Sequence, residues 1–292
     1  CLVGSEMCIR DRAFDDLTAK AQEMGATTKF TATESAEAFN YMAMAGWKPQ
    51  QMIDGISGIM SLAAASGEDL GTTSDIVTDA LTAFGLQAGD AGHFADVLAQ
   101  ASANANTNVS MLGESFKYVA PVAGAMNYSV EDTSLALGLM ANASIKGSMA
   151  GTALKTSLAN MAAPTGSMAA AMDKYGISLT DSEGNMKSLR GVIDNLRGSL
   201  GGLSETEQTA AASTIFGKEA MAGMLAIINA SEEDYNKLST AIGNSKDAAE
   251  GMADTMLDNL KGSFTLMQSA IEGTENAFGK RLSPYLRGIA GG

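Results

Sequence analysis

Side chains that could carry catalysis or hold a metal are rare in this sequence. Its 292 residues include one histidine, His93, and two cysteines, Cys1 and Cys8. A metal site built from cysteine and histidine needs about four ligands, and a Ser-His-Asp arrangement could use only His93. Because His93 lies at a polar helix start, in "GDAGHFADVL", a solvated or capping role is expected for it. The sequence thus predicts no catalytic residue, no metal site and no cofactor.

Motifs that bind phosphate or activate a serine are also missing from the sequence. Gly217-Lys218 is followed by Glu219, whereas a phosphate-binding loop has serine or threonine after its lysine. No G-x-S-x-G elbow occurs, and nothing singles out a pair of acidic residues for glycoside hydrolysis. These absences favour a structural protein over an enzyme.

The stretch "ISLTDSEGNMKSL", residues 177–189, has two interpretations. A calcium loop beginning at Asp181 would need glycine at its sixth position and glutamate at its twelfth, where Met186 and Val192 stand. The alternation of Ile177 and Leu179 before a cluster of turn residues instead favours a short β-hairpin. We expect this hairpin to be the only sheet in the chain.

The first twelve residues, "CLVGSEMCIRDR", do not fit the rest of the sequence. Glu6 interrupts their apolar stretch and the arginines follow it, which is not the order of a secretory signal. A back-translation of residues 2–11 resembles a transposase adapter used in short-read library preparation. We therefore interpret residues 1–12 as a non-native, adapter-derived segment that packs against nothing specific, with the native N-terminus missing.

Composition and charge favour an acidic, helical protein. Aromatic residues make up 5% of the sequence, which has 19 methionines and 32 glycines but only 4 prolines. This mix is typical of helices with small, closely packed faces. The net charge of −14 argues against a surface for nucleic-acid phosphates, and no apolar run approaches the roughly 18 residues of a membrane span. We predict an all-α, compact multi-helix domain with no direct nucleic-acid binding and no transmembrane span.

Helix boundaries are indicated by capping residues and glycines. "TATE", residues 31–34, forms a capping box, and its helix should end at Gly46. Pro49 suits the first turn of a second helix that ends at Gly67. A third helix is predicted over residues 75–84, and later helices should begin at "SETE" (204–207) and "SEED" (231–234).

A long amphipathic helix is predicted from Lys246 onward. Apolar residues recur there at intervals of mostly three or four, which puts them on one side of a helix. This C-terminal stripe consists of Met252, Met256, Leu260, Phe264, Met267, Ile271 and Phe278. Such a stripe either packs on the helices of residues 13–165 or pairs with the same helix of neighbouring copies. We favour pairing between copies.

The chain beyond residue 12 divides into three predicted regions. Residues 13–165 form a helical core, residues 166–245 the hairpin with further helices, and residues 246–292 the truncated amphipathic helix. The core contains a candidate duplication of helical hairpins, with chance similarity in an Ala/Gly-rich chain as the alternative. One basis is the similarity of Phe39-x-Tyr41 to Phe116-x-Tyr118. The other is a set of five residues for which the same residue type occurs again 80 positions later, namely Met60, Ala63, Gly67, Gly71 and Thr72.

Several stretches, taken in order, resemble the core region of phage tail tape measure proteins. The resemblance runs over nearly all of residues 13–285 and includes the Trp47-x-Pro49 helix start. The matching stretches are "TKFTATESAEAFNYMAMAGWKPQQM" (28–52), "LAAASGEDLGTTSDIVTDALTAFGL" (62–86), "ADVLAQASANANTNVSMLGESFKYVAPVAGAMNYSVEDT" (95–133), "IKGSMAGTALKTSLANMAAP" (145–164) and "IFGKEA" (215–220).

The resemblance implies a non-enzymatic virion component. Such chains are mostly helical, occupy the tail tube lumen, set tail length during assembly in the bacterial cytoplasm, and leave the tube ahead of the genome. The implied partners are other copies of the same chain, the tail tube proteins and the tail assembly chaperone. The alternatives are a wall-degrading or membrane-active ejection module of a phage tail, and a bacterial helical interaction protein.

Overall fold

The computed structural model describes residues 3–258, 264 and 267–271, with side chains from Arg12 onward. Of these residues 77% are helical and none lies in a strand, which confirms the predicted all-α class. The helices are α1 (Val3–Thr27), α2 (Ala32–Met44), α3 (Pro49–Ser66), α4 (Leu70–Phe84), α5 (Ala91–Asn104), α6 (Val109–Ala125), α7 (Val130–Asn142), α8 (Ser148–Ala162), α9 (Gly166–Tyr175), α10 (Leu189–Leu200), α11 (Glu205–Phe216), α12 (Met221–Ile228), α13 (Glu232–Gly243) and α14 (Ala248–Leu257), with a short 3₁₀ turn over Ala88–Asp90.

The predicted capping signals begin and end the helices where expected. The Thr31 side chain accepts a hydrogen bond from the Glu34 N–H, and the Glu34 carboxylate accepts one from the Thr31 N–H, as in a capping box. Pro49 is the first residue of α3, which ends at Gly67 in the left-handed conformation, with φ of 73°. Ser204 and Ser231 cap α11 and α13.

The predicted start of α4 is wrong. The helix begins at Leu70, five residues before the expected position, because the Asp69 carboxylate accepts a hydrogen bond from the Thr72 N–H at 2.8 Å. Hydrogen bonds from Thr72 hold the pKa of Asp69 below its ordinary value. Its end is as predicted, since Gly85 follows Phe84 with φ of 69°.

The predicted β-hairpin is also wrong. Between α9 and α10 the chain forms one isolated antiparallel bridge, Thr180 to Met186, around a tight turn. The Asp181 carboxylate accepts hydrogen bonds from the backbone N–H groups of Glu183 and Asn185, which lowers its pKa, the Asn185 bond being the largest cause. Only two residues separate Met186 from the start of α10, so the second arm is too short to pair further.

The N-terminal segment interpreted as adapter-derived is partly helical. The backbone of α1 begins at Val3 and continues without a break to Thr27. Leu2 and the side chains of Val3 and Cys8 lie outside the described part of the chain. Their lack of specific packing stays a prediction, as does the division of the sequence at residues 165 and 245.

The described residues form two units, of which the first comprises the chain up to residue 78, residues 88–92 and the part from 249 on. Its core consists of fully buried aliphatic and methionine side chains, among them Met42, Ile56, Ile59, Met60 and Leu62. Gly55 lies so close to Trp47 that an added Cβ would stand 2.5 Å from the indole ring. Small residues therefore let α3 pack tightly in this unit.

The second unit comprises residues 79–87 and 93–248. At its centre Phe116 packs edge-to-face against Phe84 and Phe94, with ring centroids 5.8 and 5.5 Å apart. Helices α6 and α8 approach so closely that a Cβ added at Gly151 would lie against the backbone carbonyl oxygen of Ser115. The Ser115 hydroxyl also donates to the carbonyl of Gly147 at 2.8 Å, which fixes the start of α8 on α6.

Candidate functional site

The single histidine makes a side-chain contact at the surface. His93 Nε2 lies 2.7 Å from the Oε1 atom of Glu131, and their side chains are 53% and 31% exposed. Among the residues described, no three histidine, cysteine or acidic side chains gather in a group that could hold a metal ion. His93 thus links the start of α5 to the start of α7 at the surface of the second unit.

Gly217, the first residue of the rejected phosphate-loop motif, has a structural position. It caps the C-terminus of α11 with φ of 83°, and the preceding Phe216 carbonyl accepts a hydrogen bond from Asn160 at 2.9 Å. The glycine is needed because its backbone has a positive φ.

A partly buried polar joint connects three helices of the second unit. The Asp132 carboxylate of α7 accepts hydrogen bonds from the backbone N–H of Arg190 at 3.0 Å and from its Nε at 3.1 Å. The same guanidinium donates to Ser239 of α13 at 2.7 Å. Ser188 is the N-cap of α10, and Asp132 adds an acceptor for a second N–H of the first turn. The same carboxylate pairs with the Arg190 side chain.

A second arginine clamps the turn between α12 and α13. Arg197 donates to the carbonyls of Ile227 and Ala230 and to the Glu232 carboxylate, at 3.0, 2.8 and 2.7 Å. Its guanidinium lies 4.7 Å from the Tyr235 ring. A cavity of about 500 Å³ borders this cluster. Since three donors of the arginine are directed at protein oxygens, the cluster is suited to holding helices together rather than to binding an anion.

Tyr235 completes this cluster. Its hydroxyl donates to the Asp194 carboxylate at 2.5 Å, and the face of its ring lies against the Arg197 guanidinium. Burial, followed by the hydrogen bond to the Asp194 carboxylate, raises the pKa of the Tyr235 phenol. The neutral phenol is the form that donates this bond.

The structure describes five of the seven residues of the C-terminal stripe. Met252 on α14 is half-buried, whereas Met256, Phe264, Met267 and Ile271 are 52%, 60%, 54% and 52% exposed. Leu260 and Phe278 lie outside the described residues. The helix α14 begins at Ala248 rather than Lys246 and ends at Leu257, so the predicted single long helix is not observed.

The buried face of the C-terminal region is made by small residues instead. Ala249 and Ala253 are the buried residues of α14. Ser269, in the helical residues 267–271, is 2% exposed and donates a hydrogen bond to the Lys29 carbonyl at 3.1 Å. The segment therefore docks on the first unit by its small residues and leaves the large apolar side chains at the surface.

An apolar groove in the first unit was not predicted from the sequence. It has a volume of about 520 Å³ and runs between α1 and α2, with Met52 of α3 at one end. Its lining residues are Phe14, Leu17, Thr18, Ala21, Gln22, Ala32, Thr33, Ala36, Phe39, Asn40, Ala43 and Met52. The spacing of Phe14, Leu17 and Ala21 on one helical face was the signal available, but it does not reveal that a neighbouring helix leaves this face open.

None of the described helices combines the length and apolar character that crossing a bilayer requires. The first unit thus carries two apolar surfaces, the groove and the C-terminal stripe. In the second unit, polar contacts of Arg190 and Arg197 hold the helices together. Such apolar surfaces are typical of protein–protein contacts.

Comparison with known proteins identifies similar chains along most of the sequence. Residues 18–217 match the family described as phage-related minor tail protein. The chain is 40% identical over 272 residues to the tape measure protein of Pneumococcus phage Dp-1, covering 93% of this chain and 24% of that protein. It is 28% identical over 259 residues to the probable tape measure protein of Escherichia phage P2, covering 88% of this chain and 32% of that protein. The chain thus spans about a quarter to a third of the length of these relatives. No solved structure matches it.

Proposed function

Because this chain belongs to the phage-related minor tail protein family, we propose that it is a segment of a tape measure protein, which sets tail length during assembly and occupies the tail tube lumen. The observation that carries the proposal is the similarity to a tape measure protein over 93% of the chain. The length-setting activity belongs to the full-length protein, of which this segment supplies a folded helical part.

The helical architecture indicates that this segment is a folded part of the tape measure protein and not the extended stretch that sets tail length. A straight α-helix rises about 1.5 Å per residue, so a chain that measures length is most efficient when it is extended. The described helices are 8 to 25 residues long and pack on one another within each unit. We therefore assign the extended, length-setting stretch to other regions of the full-length protein.

A structural rather than an enzymatic role is supported by how the polar side chains are used. His93 pairs with Glu131 at the surface, and the arginines Arg190 and Arg197 bind helix ends and neighbouring side chains. These groups hold helices in position, and a substrate would have to displace those contacts.

The partners we propose are other copies of the chain, the tail tube proteins and the tail assembly chaperone, with assembly in the cytoplasm of the bacterial host. The C-terminal stripe is the proposed contact between copies. Phe264, Met267 and Ile271 are all more than half exposed, and apolar side chains grouped at a surface are usually covered by a partner.

The test is to locate the segment in assembled tails. The complete gene is expressed together with the other tail genes of its genome, and purified tails are treated with protease before and after they are opened with denaturant. We expect peptides from residues 13–258 in the tails, protected until the tube is opened. Their absence from tails, or digestion at the rate of the free protein, would contradict the proposal.

A further inference from the structure

The groove between α1 and α2 has a counterpart in the second unit, and this counterpart indicates what the groove accepts. Thr31 caps α2 and Asn108 caps α6, and each cap is followed eight residues later by a phenylalanine, Phe39 or Phe116. Phe116 is 1% exposed and is covered by the rings of Phe84 and Phe94.

In the first unit Phe39 is also buried, at 6% exposure, but no aromatic ring of the described residues closes the groove beside it, and Phe14 of the groove is left 70% exposed. Leu17 precedes the cap of α2 by the same number of residues as Phe94 precedes the cap of α6, and it lines the groove together with Phe39. In the second unit Phe84 can reach Phe116 because Gly85, with φ of 69°, breaks the chain before α5 begins. Helix α1 is unbroken from Val3 to Thr27, so no such turn folds its beginning back over the groove. The groove occupies the space that is left.

The exposed part of the C-terminal stripe has the chemistry to fill this space. Met267 and Ile271 lie one turn apart in the helical residues 267–271, and both are more than half exposed. Phe264 is likewise helical and exposed, and its spacing of three residues from Met267 favours the same face. Ser269 lies on the opposite face and is buried against Lys29. The segment is therefore held on its own unit through Ser269, and its apolar side chains are exposed on the opposite side.

The two surfaces also match in charge and length. The groove is lined by apolar residues and by the neutral side chains of Thr18, Gln22, Thr33 and Asn40, without a charged group. The sequence from residue 263 to 271 is likewise uncharged and lies between Lys261 and Glu272. As a helix it would be about 13 Å long, the same length as the α1 stretch that lines the groove, Phe14 to Gln22.

We propose that the stripe residues Phe264, Met267 and Ile271 of one copy lie in the α1–α2 groove of a second copy. Phe264 packs there against Leu17 and the exposed ring of Phe14, and so supplies the aromatic ring that Phe84 supplies within the second unit. Each copy carries one groove and one stripe, so the contact is head-to-tail and can continue from copy to copy into a ring or a filament. This inference rests on the proposed use of the stripe as a contact between copies and names the surface that receives it.

Two variants block the two surfaces separately. Ala36→Arg puts a charge into the groove from an exposed position on α2, and Phe264→Asp puts one at the end of the stripe. Their matched controls are Ala19→Arg, at an exposed alanine of α1 outside the groove, and Met186→Asp, at a residue 47% exposed in the second unit. Asn40→Arg serves as a second groove variant if Ala36→Arg loses helicity by circular dichroism.

Sedimentation of the full chain under reducing conditions, which prevents disulfides through Cys1 and Cys8, gives the readout. We expect wild type and both controls to associate with rising concentration, and each blocking variant to associate at least tenfold more weakly. An equimolar mixture of Ala36→Arg and Phe264→Asp should form a one-to-one dimer, because one partner keeps an intact stripe and the other an intact groove.

Other outcomes overturn the inference in distinguishable ways. If Phe264→Asp abolishes association while both groove variants associate like wild type, identical stripes pair with each other, and the groove is not the receptor. In that case the contact between copies stands. If wild type is monomeric at every concentration, both the head-to-tail contact and the proposed contact between copies are wrong.

Discussion

Tyr128 carries a buried hydroxyl group for which the described residues supply no hydrogen-bond partner. A buried polar group without a partner lowers stability, because it has lost its bonds to water. Tyr128→Phe removes the hydroxyl and keeps the ring, so we expect the free energy of unfolding to rise by about 1 kcal/mol. Urea denaturation at neutral pH measures this, with the exposed Tyr118→Phe as a control that changes stability little.

The same tyrosine gives the fold a dependence on alkaline pH. Burial raises the pKa of Tyr128 from 10.0 to about 12. The unfolded chain therefore loses this proton near pH 10 while the folded chain keeps it, so ionisation of this group leaves the stability of the fold unchanged below pH 10 and lowers it as the pH rises toward 12. The fall in stability of wild type between pH 9.5 and 11 should exceed that of Tyr128→Phe; equal falls would contradict the assignment.

Gly151 fixes the distance between α6 and α8. A Cβ at this position would overlap the Ser115 carbonyl, and backbone cannot move aside as a flexible side chain can. We expect Gly151→Ala to destabilise the fold by about 1–3 kcal/mol through overpacking. The matched change Gly251→Ala, in α14 with open space around it, should instead be neutral or stabilising, since alanine favours helix. Thermal unfolding of the two variants checks the contrast.

At the scale of helices, the joint between α7, α10 and α13 depends on Asp132. Removing its carboxylate leaves the Arg190 guanidinium without its ion-pair partner and the Arg190 N–H without its acceptor, although Ser188 still caps α10 through the Gly191 N–H. We expect Asp132→Ala to lower the free energy of unfolding by about 1–3 kcal/mol, less than for a fully buried ion pair because the Arg190 side chain is 34% exposed. Glu131→Ala, which breaks the exposed pair with His93, should cost less than about 1 kcal/mol. Similar losses in denaturant titrations would argue against the joint.

Helix boundaries were predictable where a few adjacent residues determine them. Thr31 with Glu34, Pro49, and Gly85 act within one turn of the helix end, so their effect can be recognised from sequence. Asp69 was missed because it caps α4 without a glutamate or glutamine three residues later to complete a capping box.

Features that depend on packing between helices were not predictable in this way. The apolar residues around Asp181 alternate as in a hairpin, but the start of α10 limits the pairing to one bridge. The sequence shows that the stripe is apolar but not that it is exposed. It is exposed because Ala249, Ala253 and Ser269 form the buried side of this region. The groove depends on the spacing of α1 and α2, which only the folded chain defines.

At the scale of the whole molecule, the negative net charge predicts that the chain does not bind nucleic acid. A net charge of −14 repels nucleic-acid phosphates, whose binding depends mainly on lysine and arginine. In a gel-shift assay at moderate salt we expect no retention of duplex DNA at micromolar concentrations of the full chain, with a basic DNA-binding protein as positive control. Retention that weakens as salt is raised would contradict this expectation.

The chain is a structural component of a phage tail, and the division into two helical units bears on how it takes part. Most helices are short and packed within their unit, so added residues here change a folded body rather than the length of an extended rod. A segment of this kind is suited to contacts with other proteins of the tail, and we propose that length is measured by extended helix elsewhere in the full-length protein.

The length of assembled tail tubes tests the tape measure assignment most directly. Tubes are assembled from the tail genes of the same genome, with and without the complete gene that encodes this chain, and measured by electron microscopy. The assignment predicts tubes of uniform length with the gene, and scattered lengths or no tubes without it. Duplicating an extended helical stretch outside residues 13–258 should lengthen the tubes by about 1.5 Å per added residue. Tubes of the same uniform length in the absence of the gene would contradict the account.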